Sequence, residues 1–118
     1  MKKQCPIYET ANLMGKRWTL LVILEVYKGG NSRRYSEIKG KVEGITPKIL
    51  SLRLKELEKE GLVKKKIDSS SFPVKCEYSL TPKGTDFLAI LKKIKGWSLK
   101  WNKCKIHCSN TDCSYCNL

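Results

Sequence analysis

The residues able to do chemistry in this 118-residue chain fall into two sets: six cysteines, and 24 lysines and arginines. The cysteines are unevenly spread. Cys5 and Cys76 stand alone, whereas Cys104, Cys108, Cys113 and Cys116 crowd the last fifteen residues. A disulfide scaffold distributes its cysteines through the fold it holds, so one terminal cluster points instead to a metal or redox site. Cys104 and Cys108 share a face if a helix reaches them, and Cys113-x2-Cys116 is a tight knuckle. Four such thiolates suit a tetrahedral Zn²⁺ ion, with His107 as a substitute ligand. An iron–sulfur cluster also accepts four cysteines. Regulatory disulfides and an inert tail are the competing readings.

Cys5 also has two readings. It is a small hydrophobe at a subunit contact, as free cysteines usually are, or a sensor thiol. Lys2, Lys3 and a helix N-terminus favour the thiolate form that sensing needs. Cys76 lies on the apolar face of an alternating segment and reads as core.

The basic side chains outnumber 11 acidic ones, for a net charge of +13. That excess points to a polyanionic partner, most often nucleic acid; the bland alternative is a generally basic surface. The charge is concentrated. Lys28–Lys66 carries 12 basic and 5 acidic residues over 39 positions, about twice the charge density of the remainder. The lone histidine, His107, leaves no triad and no His-based acid–base pair. The Cys113-x2-Cys116 pair lacks the βαβ setting of a thioredoxin-like site. We therefore expect no enzyme.

Those residues need elements to position them. A chain of this length makes one domain, and 41% hydrophobic residues exclude a disordered polymer. The longest apolar run, Leu20–Leu24, is far short of the roughly 18 residues that span a bilayer. The start lacks the apolar stretch of a signal peptide. We expect a soluble, cytoplasmic protein with no membrane contact, its folded domain over 1–103 and a cysteine-rich tail over 104–118.

Pro6 opens a short helix to Leu13. Trp18–Tyr27 is apolar nearly all round and predicts a central buried helix. Gly29-Gly30-Asn31-Ser32 breaks the chain. Arg33-Arg34-Tyr35 reads as a short strand and Ser36–Val42 as a brief helix. From Gly44 to Val63 the signals are dense. Thr46 is a good N-cap, Pro47 fits the first helical position, and Gly61 fits the C-cap. Leu50, Leu54 and Leu57 recur at i, i+4, i+7 and form one apolar face. Lys48, Leu52, Lys55 and Lys59 lie opposite, with Ser51 beside them. Leu62–Asp68 and Val74–Leu80 predict a hairpin, the second strand alternating Val74, Cys76, Tyr78, Leu80 against Lys75, Glu77, Ser79. Thr81-Pro82 starts a last helix to about Lys103. Its stripe of Ile90, Ile94, Trp97 and Trp101, widened by Phe87 and Leu91, is large for this domain and predicts a second subunit. Packing within its own domain is the alternative.

Helix–turn–helix followed by a hairpin is the winged-helix plan, an α+β, mostly α fold. Its second helix enters the major groove, about 12 Å wide, and its hairpin lies over phosphates.

The residues also resemble the HxlR family of winged-helix transcriptional regulators, relatives of the MarR group. Cys5-Pro6 matches the family's N-terminal Cys-Pro. Gly15-Lys16-Arg17-Trp18-Thr19-Leu20-Leu21 is similar to its Gly-Lys-Trp segment, with Arg17 inserted. Arg34-Tyr35-Ser36-Glu37-Ile38 resembles its Arg-Phe-x-Glu-Leu element. The Gly44–Val63 stretch follows its Gly-Ile-Ser…Gly-Leu-Val pattern with Thr46 for Ser, and Glu77–Thr81 with Gly84 closes the wing. Pro73-Val74-Lys75-Cys76 departs from the usual Pro-Arg. The match runs from about Cys5 to Trp101 and leaves the tail outside. It implies a homodimer joined through N- and C-terminal helices, and oxidants or electrophiles as effectors for an N-terminal cysteine.

On that plan, base readout falls to Thr46, Lys48, Ser51, Leu52 and Lys55. Lys48 can donate to guanine, and exposed Leu52 suits a thymine methyl. A merely solvated face is the alternative. Arg33, Arg34, Lys64, Lys65, Lys66, Ser70, Ser71 and Lys75 are the phosphate candidates, which position without specifying. The leading expectation is a dimeric regulator of double-stranded DNA. A winged-helix protein-interaction module with a metal-binding tail is the second.

Overall fold

The computed structural model describes residues 4–70, 72–101 and 112–115. Among these residues, five helices, a three-stranded antiparallel sheet and a short 3-10 turn follow one another. They are α1 (Pro6–Met14), α2 (Thr19–Lys28), β1 (Ser32–Arg34), α3 (Tyr35–Lys41), α4 (Pro47–Lys59), β2 (Val63–Asp68), β3 (Lys75–Leu80), α5 (Pro82–Trp101) and the turn Cys113–Tyr115. The sheet order is β1-β3-β2. This is the winged helix-turn-helix fold, with α3 and α4 as the helix pair and β2–β3 as the wing.

The core forms where the sequence concentrates branched aliphatics. Val22, Ile23 and Val26 of α2 meet Ile38 of α3 and Leu50, Leu54 and Leu57 of α4, all fully buried. Val63, Tyr78 and Leu88 close it from the wing and α5. Close packing of this kind fixes the angle at which α4 leaves the domain.

Helix α4 starts and stops as its cap residues dictate. The Thr46 hydroxyl accepts the Ile49 amide at 3.2 Å. At the far end Gly61 has φ +79°, the Leu62 amide donates to the Leu57 carbonyl, and the Gly61 amide donates to Glu58. That pair of bonds is a Schellman motif, which ends a helix sharply and releases the chain into β2.

Three of the boundaries that differ from the sequence expectation trace to particular contacts. Trp18 is not the first residue of α2. It stands before it as the N-cap in a left-handed conformation, φ +83°, unusual for a bulky residue, with the Arg17 guanidinium 4.5 Å over its ring. β1 ends at Arg34, because Tyr35 turns into α3 and the Glu37 carboxylate accepts the Arg34 amide at 3.0 Å. β3 begins at Lys75, whose partner Asp68 ends β2. Val74 lies beyond that last pair and is exposed, so only Cys76, Tyr78 and Leu80 of the expected face pack inward. α5 is described to Trp101, and the expected extension to Lys103 lies outside the described residues.

Among the described residues no helix is long and apolar enough to cross a membrane.

Candidate nucleic-acid interface

The helix pair is cross-linked by one phenol. Tyr35 of α3 donates to the Pro47 carbonyl at 3.1 Å, and its oxygen lies 3.2 Å from the Ser51 hydroxyl. The start of α4 is thereby held against α3. Its middle is braced from the other side. Arg53 Nε donates to the Arg17 carbonyl at 2.9 Å, and its guanidinium reaches Glu56 at 3.1 Å. Lys16 reaches the other Glu56 oxygen at 2.8 Å. Burial alone would raise the Glu56 pKa, but Lys16 and Arg53 outweigh it and hold the carboxyl below its ordinary range.

Held in this way, α4 turns a polar side outward. Thr46, Lys48, Ser51, Leu52 and Lys55 are all exposed, on the side opposite Leu50, Leu54 and Leu57. Lys48, Leu52 and Lys55 recur at i, i+4, i+7 and lie along one line of the helix. Thr46 also works as the cap, and Ser51 as a partner of Tyr35. The outward surface is a row of two amines with an apolar side chain between them.

The wing divides its basic residues by strand register. Lys64 pairs with Ser79, Lys66 with Glu77, and Lys75 with Asp68, while Arg34 of β1 also sits opposite Glu77. Paired residues project from one face of a sheet. Arg34, Lys64, Lys66 and Lys75 therefore share the outer face and are exposed. Lys65 pairs with Tyr78 on the other face, yet is exposed as well. Ser70 turns back on its own loop, its amide and hydroxyl both donating to Asp68. Ser71 lies outside the described residues.

Arg33 does not face outward, which corrects its place among the phosphate candidates. Its side chain is only 13% exposed, and its guanidinium lies 3.5 Å from Glu25, which Lys28 approaches at 3.2 Å. A buried carboxylate on α2 needs cationic partners. Arg33 supplies one and ties β1 to α2.

Cys5 is half-buried at the N-cap of α1, and Cys76 is half-buried against the core. The stripe of Ile90, Ile94, Trp97 and Trp101 is exposed along α5. Of the four tail cysteines, Cys104, Cys108 and Cys116 lie outside the described residues, as does His107. Cys113 borders a groove between α2 and α5, beside Leu20, Leu24 and Leu91.

The anchor of that last segment was not legible from motifs. Tyr27 of α2 donates its hydroxyl to Asp112. The Ser114 amide and hydroxyl donate to the same oxygen at 3.0 and 2.7 Å, and Lys92 of α5 lies 3.4 Å from the other. The Tyr27 and Ser114 hydrogen bonds, with Lys92 nearby, hold the Asp112 carboxyl well below its ordinary range. The one signal in the sequence is that Asp112 is the sole acidic residue after Asp86.

Comparison with known proteins agrees with this geometry. The HxlR-like helix-turn-helix family model matches residues 13–105. The uncharacterized HTH-type transcriptional regulator YvaP of Bacillus subtilis is 40% identical over 100 residues, spanning 84% of this chain and 90% of its own. A solved structure described as a MarR-family transcriptional regulator, from Porphyromonas gingivalis W83, superposes with TM-score 0.74 at 35% identity, over 84% of this chain and 94% of that one. The reduced form of the transcriptional regulator YodB of Bacillus subtilis superposes with TM-score 0.69 at 35% identity, over 84% and 95% of the two chains. YodB has also been solved after diamide treatment. With most of its length matched by the family model and its fold shared with these regulators, the chain belongs to the HxlR-like helix-turn-helix family of transcriptional regulators.

Proposed function

We propose that the protein is a homodimeric, sequence-specific regulator that lays α4 in the major groove of double-stranded DNA and rests the wing on the adjacent phosphates. The observation that carries this reading is the outward row of Lys48, Leu52 and Lys55 on a helix whose other side is fully buried. A lysine donates to guanine O6 and N7, and a leucine packs on a thymine methyl. Arg34, Lys64, Lys66 and Lys75 on the outer face of the sheet, together with the exposed Lys65, supply the sequence-independent part of the affinity. The α5 stripe, with Ile7 and Tyr8 of α1 also exposed, suits the contact between two copies.

A mobility-shift titration against fragments selected from random double-stranded DNA tests the reading. The expected result is an inverted repeat with half-site centres about one helical turn apart, and a log K against log[salt] slope of several units. Binding that ignores salt would favour a protein-contact role instead.

The signal is read, on this proposal, by thiols. The reduced and diamide-treated structures of YodB support that reading by similarity. Cys5 at the head of α1 is the candidate sensor, and diamide is expected to change DNA affinity in the parent protein and not in Cys5→Ser. For the tail, Zn²⁺ held by Cys104, Cys108, Cys113 and Cys116 remains the proposal. Metal content per chain after purification without chelator decides it against disulfides.

A further inference from the structure

The wing ends in side chains that do not suit a simple phosphate clamp. Phe72 is 99% exposed, the most exposed of the large apolar side chains among the described residues. Ile67 and Val74, just behind it on the two arms of the hairpin, are 58% and 57% exposed. None of the three is among the residues packed on the core. Large apolar side chains held out in water at the end of an arm are unfavourable unless something covers them. The surroundings say what that is. Lys64, Lys65, Lys66 and Lys75 lead along the hairpin toward the tip and are exposed. Of the carboxylates nearby, Asp68 is engaged by Ser70, and Glu77 sits between Lys66 and Arg34 in the sheet. A row of cations leading to an apolar point complements a polyanion with a narrow apolar slot, and is poorly matched to an oily protein surface or a second basic wing.

We propose that Phe72 is a wedge. In the bound complex it enters the minor groove beside the major groove held by α4 and pries at a base step, with Ile67 and Val74 behind it and the lysines on the flanking phosphates. The inference rests on the DNA-binding reading above and adds to it a residue that shapes specificity without a base hydrogen bond. Apolar wedges partly unstack a step and bend the duplex toward the major groove. The energy of doing so depends on the step: pyrimidine–purine steps open easily, and A-tracts resist. Phe72 thus confers a preference for a flexible step under the wing, at positions α4 never touches.

The test uses the full chain and two versions of a selected fragment, one with a TA step under the wing and one with an A-tract there. Bending is read by energy transfer between dyes on the fragment ends, and affinity by titration at fixed salt. The parent protein is expected to bend the TA fragment and to prefer it roughly tenfold. Phe72→Ala is expected to lose the bend and the preference while keeping its affinity for the A-tract fragment and its salt slope. Phe72→Leu, still an apolar wedge, is expected to retain most of both. Because Phe72 touches so little of its own fold, neither change should move the thermal midpoint. Equal bending and equal step preference in the parent and Phe72→Ala would overturn the wedge, even with salt-dependent binding intact. A change only in the sedimentation of the free protein would overturn it too, because the tip would then be a protein contact. A parent protein with no salt-dependent affinity would instead overturn the underlying reading.

Discussion

Helices α4 and α5 are both amphipathic, and they end in opposite conditions. α4 buries Leu50, Leu54 and Leu57 completely and shows water a polar, basic side. α5, at 20 residues, buries only Gly84 and Leu88 and leaves Ile90, Ile94, Trp97 and Trp101 exposed. The domain completes α4 by itself and leaves α5 incomplete. Exposed amines are stable in water and wait for an anion at little cost. Exposed tryptophans are not, and call for a second apolar surface. On the proposed reading the two helices divide the work, one for a charged partner and one for an apolar partner.

That division can be broken or sharpened by substitution. The largest effect is expected from Leu54→Ala, which opens a cavity behind α4 and should cost about 2–5 kcal/mol in urea unfolding. Trp97→Ala should cost the fold of one chain little and instead weaken self-association, by about 2 kcal/mol or more in sedimentation equilibrium, as expected for an aromatic anchor. If Trp97→Ala unfolds the domain while association persists, the contrast between the helices fails. Lys48→Ala is expected to cost about 1–3 kcal/mol against the preferred sequence and to relax base preference at one position, read by binding to single-base variants. Lys65→Ala should weaken every sequence alike and lower the salt slope by about 1.

The smallest effect is expected at the tail anchor, which joins the turn Cys113–Tyr115 to α2 and α5. The Asp112 carboxyl is held below its ordinary range, so the contact with Tyr27 and Lys92 is present above that range and is lost as pH falls through the lowered value. The Ser114 amide resonance should report this titration. Asp112→Asn should remove the titration and speed labelling of Cys113 by a thiol reagent, measured peptide by peptide.

What was legible in the sequence follows from how local each signal is. The α4 helix could be read to within a residue, because its cap, its proline and its terminating glycine all lie in the stretch they govern. The register of the wing could not. Whether Val74 belongs to β3 depends on where its partner strand ends, and Lys65 differs from Lys64 only through pairing. Arg33 looked like any surface arginine, since its partner Glu25 is set by the packing of β1 on α2. The Tyr27–Asp112 bond joins positions 85 residues apart, and no motif spans that distance. The exposure of Phe72 was hidden too, because an apolar residue in a polar loop gives no hint of which way it points.

The end of α4, the root of the wing and the start of α5 meet at Thr81 and Gly84. The Thr81 hydroxyl bonds the Gly61 and Leu62 carbonyls and accepts the Gly84 amide at 3.1 Å. Lys83 donates to Glu60 at 2.7 Å. A methyl group at Gly84 would lie 2.2 Å from the Leu62 carbonyl oxygen, so the backbones touch with no side chain to cushion them. Such a joint acts as a stiff elbow. α5 is about 30 Å long, and a tilt of about 5° at its far end moves the reading head by roughly 2.5 Å. In the proposed dimer, two heads that must meet grooves about 34 Å apart tolerate little of that. In that proposed dimer the joint works as a pantograph arm, turning any small change where two copies meet into a mismatch with the pitch of DNA.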